Sequence, residues 1–119
     1  MTPGLPPTSE LSTEIVHEPD GVRLILRGEL DMNGVLQTER AVKEAADQAG
    51  AQLTIDLTEL RFMDLFGARA LLRVADQSNV PGRKVVIANP RRHVRRLFEM
   101  ITDLARGRSL VTELVQPGS

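Results

Sequence analysis

The chain has 119 residues, 41% hydrophobic and 26% charged, with a formal net charge of −1. That suits one globular domain and gives no global electrostatic pull toward nucleic acid or an anionic membrane. Cysteine, tryptophan and tyrosine are absent and the few aromatics are all phenylalanine; disulfides, thiol chemistry, cysteine-based zinc sites and a Trp or Tyr stacking platform are therefore excluded.

Residues 1–10 are rich in Pro and Gly and lack the basic and apolar regions of a signal peptide. They are expected to be a disordered lead-in to a single domain spanning 11–116. Leu11 to His17 reads as a first, edge strand, and Pro19, Asp20 and Gly21 as a turn. In Val22 to Leu30, Val22, Leu24 and Leu26 alternate with Arg23 and Arg27, and Ile25 falls on the second face, which predicts a strand partly buried on both sides. Asp31, Met32, Asn33 and Gly34 form a loop. Val35, Thr38, Val42, Ala45, Ala46 and Ala49 then recur at helical spacing up to a stop at Gly50.

Leu53, Ile55 and Leu57 alternate as a strand. Thr58 to Met63 reads as a link into Asp64. Ala68, Leu71, Leu72 and Ala75 mark one face of a second helix, ended by Asn79, Pro81 and Gly82. Val85 to Ala88 is a buried strand. Pro90 fits the first turn of a third helix, with Val94, Leu97, Phe98 and Ile101 on its apolar face. Leu110 to Val115 suggests a final short strand. The order β-β-α-β-α-β-α(-β) implies an α/β fold: a mixed four- to five-stranded sheet with crossover helices packed on it. No apolar run approaches the ~20 residues of a membrane span, and a cytoplasmic location is the expectation.

Catalytic signals are sparse. His17 and His93 fall on different elements and in no ligand spacing, so neither a metal nor a cofactor is expected. Nucleophile-elbow, Walker A and dinucleotide fingerprints are missing. Asp56, Glu59 and Asp64 lie close in sequence, but strand alternation and the following turn scatter them. The run Arg91, Arg92, His93, Arg95, Arg96 reads first as the solvated side of an amphipathic helix. Cations in a first turn do oppose the helix dipole, by a few tenths of a kcal/mol each, which an acidic partner would offset. Asp64 is a favoured N-cap, and Gly67 leaves room for another backbone. Leu65 and Phe66, between them, either tuck into the core or form an exposed apolar contact.

The segment LTIDLTELRFMDLFGARALLRVADQ resembles the signature of the STAS domain, the fold of bacterial anti-sigma factor antagonists and of sulphate-transporter tails. Asp56 and Leu57 match its strand end, and Asp64 and Gly67 match the Asp and Gly of its Asp-Ser-Ser/Thr-Gly-Leu turn. RGELDMNGV is similar to the family's Gly-Glu/Asp-Leu-Asp loop at Gly28, Glu29, Leu30 and Asp31. PRRHVRRLFEM resembles its third helix. The resemblance implies a non-enzymatic module that binds an anti-sigma factor, of the ATP-binding kinase type in some cases, and so regulates sigma-dependent transcription. The family's switch is phosphorylation of the first Ser of that turn, which here is Leu65. Neither Leu65 nor Phe66 has a hydroxyl, so phosphate cannot be added there; Thr58 and Ser78 are the hydroxyls where a displaced switch would sit. The expected partner-binding residues are Asp31, Met32, Asn33, Asp64, Leu65, Phe66, Gly67 and Arg69. If Leu65 and Phe66 are buried, Asp31, Met32, Asn33 and Arg69 carry the surface. Alternative roles are a STAS subunit of a signalling complex or of a lipid-transport ATPase, and a nucleotide or small-ligand sensor.

Overall fold

A computed structural model of the chain describes residues 10–104 and 113–115. Most of the expected lead-in, residues 1–9, lies outside them, as do 105–112 and 116 of the expected domain. The described elements are β1 (Ser12–Glu18), β2 (Gly21–Leu30), a short 3-10 turn (Met32–Gly34), α1 (Val35–Ala49), β3 (Gln52–Asp56), β4 (Leu60–Met63), α2 (Leu65–Ser78), β5 (Lys84–Ala88), α3 (Arg92–Leu104) and β6 (Glu113–Val115).

The sheet runs β1-β2-β3-β5-β6, with β4 joined to the C-terminal half of β2. β1 and β2 form an antiparallel hairpin, and every other pairing is parallel. This is the expected mixed α/β sheet with β1 at an edge, extended by one strand. Thr58 to Met63, expected as a link, contains β4. Its buried residues are Leu60 and Met63, with Arg61 and Phe62 exposed between them, so the period-2 signal of a strand is absent. A bulge between Gly28 and Glu29 accommodates the pairing.

The alternation along β2 places Val22, Leu24, Leu26 and Leu30 on the helix-covered face. They pack with Val42 and Ala45 of α1, Leu71 and Ala75 of α2, and Val94 and Phe98 of α3 in one aliphatic core. On β1, β2 and the end of β3 the opposite face carries charge. There Arg23 bridges Glu18 and Asp56, and Arg27 bridges Glu14 and Glu59, all at 2.8–3.0 Å.

Parallel pairing has a geometric consequence. The C-terminal ends of β2, β4 and β5 point the same way, so the first turns of α1, α2 and α3 gather at one end of the sheet. The third helix begins two residues later than its Pro90 suggested. Asn89 takes a left-handed conformation (φ 59°), Pro90 follows it, and the Arg91 carbonyl accepts the first helical bond from the Arg95 amide at 2.8 Å.

Candidate functional site

Two aspartate-capped turns lie side by side at that end. The Asp64 carboxylate accepts a hydrogen bond from the Gly67 amide at 2.8 Å and caps α2. The Asp31 carboxylate accepts one from the Asn33 amide at 2.9 Å and caps the 3-10 turn. Each carboxylate satisfies a backbone amide that the start of its turn would otherwise leave unpaired. Leu30 joins the two turns. Its carbonyl accepts from the Asp64 amide at 3.1 Å, and a Cβ on Gly67 would lie 2.7 Å from both that carbonyl oxygen and the Leu30 Cγ. Only glycine fits at that crossing, because any side chain would push the two turns apart.

Capping fixes the backbone here while leaving the next two side chains outside. Leu65 is 40% exposed and Phe66 58%, so both face solvent rather than the core. Met32, on the neighbouring turn, is 61% exposed, and Leu36 follows it in the first turn of α1. Asn33 and Arg69 are also exposed, and Asp31 is partly so. Of the chain's three phenylalanines, only Phe98 is buried. Phe62 and Phe66 are both exposed at this end of the molecule, as aromatic anchors available to a partner.

Phe62 lay outside the sequence-derived set, as did His93 in any paired role. Their rings stack with centroids 6.2 Å apart and an interplanar angle of 25°. The stack ties the end of β4 to the first turn of α3 and brings the arginine run beside the apolar residues. Within that run, Arg91, Arg92 and Arg96 are exposed, and Arg95 bridges Glu99 at 3.7 Å. Val94 and Phe98 point into the core.

The three carboxylates close in sequence go to three separate partners. Asp64 caps α2, and Glu59 bridges Arg27. Asp56 accepts from Arg23 and from both the hydroxyl and the amide of Thr58, at 2.6–2.9 Å. Burial works against its ionisation, but the Thr58 and Arg23 hydrogen bonds outweigh that and hold its pKa below the ordinary carboxylate value. The two hydroxyls differ as well. Ser78 is buried and donates to the Val74 carbonyl, whereas Thr58 is exposed. An open groove of about 520 Å³ runs past Thr58 and is lined by Glu10, Arg27, Glu59, Arg61 and Arg91 among others. Its charge is mixed, with carboxylates interleaved among the guanidiniums.

A family model described as "Mlab, STAS domain" matches residues 14–112. No curated protein sequence matches the chain. The fold is similar to that of an anti-sigma factor antagonist from Mycobacterium paratuberculosis, with a TM-score of 0.70, 17% identity, and coverage of 95% of this chain and 91% of that one. It is also similar to the anti-sigma factor antagonist SpoIIAA in its unphosphorylated form (TM-score 0.61, 23% identity, 89% and 90% covered). The phosphorylated form of the Bacillus cell fate determinant SpoIIAA gives a TM-score of 0.58 at 24% identity, with 91% and 93% covered. At such identities the likeness is one of fold.

Proposed function

Because the chain belongs to the STAS domain family, we propose that it is a protein-binding module of the anti-sigma factor antagonist kind, one that sequesters an anti-sigma factor and so regulates sigma-dependent transcription in the cytoplasm. The observation that carries this reading is the exposure of Leu65 and Phe66 on a rigidly capped turn. Two apolar side chains held in water gain free energy when a partner covers them, and a fixed backbone lowers the ordering cost of binding. Asp31, Met32 and Asn33 widen the contact from one side. Asp64 and Gly67 set its frame, and Arg69 stands one turn along α2. The neighbours of like fold are antagonists by description, which supports the same class of partner.

The turn has no hydroxyl, so the contact is permanent with respect to phosphate at that position. Recovery of a candidate ATP-binding anti-sigma factor by the immobilised chain, with radiolabelled ATP present, tests the proposal. The expected result is a complex that persists in ATP with no label on the chain. Failure to retain any such factor overturns it. Label on Thr58, the exposed hydroxyl, would place a switch away from the turn and contradict permanence.

The missing hydroxyl favours a second reading: a standing subunit of a signalling complex or of a lipid-transport ATPase, where a contact needs no release. Stoichiometric co-purification with an ATPase or membrane component under native conditions distinguishes it. A tagged chain recovered without such a component counts against it.

A further inference from the structure

The apolar residues at this end are bordered by arginines that no ion pair among the described residues neutralises. Arg92, Arg96 and Met100 succeed one another at i, i+4 and i+8 along the exposed side of α3. Met100 is exposed like Phe62 and Phe66. The Phe62–His93 stack fixes this stripe against the end of β4, two residues before the Asp64 cap. Arg69 projects from α2 one turn beyond Leu65. Arg69, Arg92 and Arg96 are exposed and take part in none of the ion pairs among the described residues. Of the nearby carboxylates, Asp31 and Asp64 accept from backbone amides and Glu99 faces Arg95, while Glu29 lies opposite Phe62 in the β2–β4 register. Arg92 also stands in the first turn of α3, where a cation opposes the helix dipole. The whole chain is slightly acidic, at −1, so these arginines are not part of a uniformly basic surface.

We infer that this end of the molecule selects a protein segment whose apolar residues are flanked by carboxylates, an acidic amphipathic helix being the form that fits a rim of this kind. The inference rests on the proposal that this end is a protein contact and adds the chemistry of what it contacts. Apolar burial against Phe62, Leu65, Phe66 and Met32 supplies affinity, and the arginines supply orientation and discrimination. Arginine suits this role because its planar guanidinium meets a carboxylate through two parallel hydrogen bonds. An anionic lipid surface would share the same charge and apolarity. The apolar side chains stand on three separate elements rather than along one amphipathic helix face, the form that lies in a lipid interface.

The test uses two designed amphipathic helices with identical leucine faces, one flanked by Glu and one by Lys. Each carries a fluorophore, because the chain has no Trp or Tyr to report binding. The full chain should bind the Glu helix about tenfold more tightly than the Lys helix at low salt, and the preference should collapse in about 0.5 M NaCl. The double variant Arg92→Glu, Arg96→Glu should lose or invert the preference. Its fold is protected, since both positions are exposed and a carboxylate at position 92 stands in the first turn of α3, where it is favourable. Equal affinity for the two helices, binding of neither, or a preference kept by the double variant overturns the inference. Binding to phosphatidylglycerol vesicles in preference to the Glu helix overturns it in favour of a membrane. None of these outcomes touches the recovery of an anti-sigma factor, so the two proposals fail separately.

Discussion

Three neighbouring residues at the α2 turn do different physical work. Asp64 spends its carboxylate on the Gly67 amide, and Asp64→Ala should cost about 1 kcal/mol in a urea titration. Gly67 has no room for a Cβ against Leu30, so Gly67→Ala should destabilise by about 1–3 kcal/mol through overpacking. Leu65 is different, being 40% exposed and outside the core. Leu65→Ser should leave stability within about 0.5 kcal/mol of the parent and supply the hydroxyl the turn lacks. A larger loss would mean that Leu65 is held by the core. The frame of this turn was legible from residue type alone, because Asp caps and glycine crossings are local chemistry. The outward direction of Leu65 and Phe66 was not, since two residues beside a cap establish no period.

At the scale of elements, the helices were readable because each packs on one side of a sheet, which leaves a 3.6-residue stripe of small and aliphatic side chains. Phe98 anchors the α3 stripe and is fully buried; Phe98→Ala should cost about 3–5 kcal/mol in the same titration. β4 escaped the pattern because its four residues bury only the first and last. The Phe62–His93 stack joins elements 31 positions apart and carries no sequence signal. The charged face of the sheet gives a pH prediction. Asp56 has a pKa lowered in the folded chain, so its contribution to stability is present above the ordinary carboxylate pKa of about 4 and is lost as pH falls through the lower folded value. Parent and Asp56→Asn should therefore differ at pH 7, by about 1–2 kcal/mol, and converge on acidification below pH 4. A difference that persists unchanged well below pH 4 would contradict the assignment.

For the molecule as a whole, parallel pairing gathers three helix starts, two aspartate caps and two of the three phenylalanines at one end. The opposite sheet face carries ion pairs on β1, β2 and β3, and the core fills the space between sheet and helices. The order of elements was legible from the sequence as far as the α/β class and the STAS resemblance. The assembly of one surface from Met32, Phe62, Phe66 and the arginines of α3 needed three dimensions. If this end is the contact surface, Phe66, its most exposed aromatic, carries part of the affinity. The direct measurement is the affinity of parent and Phe66→Ala for an anti-sigma factor retained by the parent, with circular dichroism and a urea titration on both. The expected result is matching folds and a loss of affinity of about tenfold or more. Unchanged affinity in a folded Phe66→Ala variant would place the contact elsewhere and contradict it.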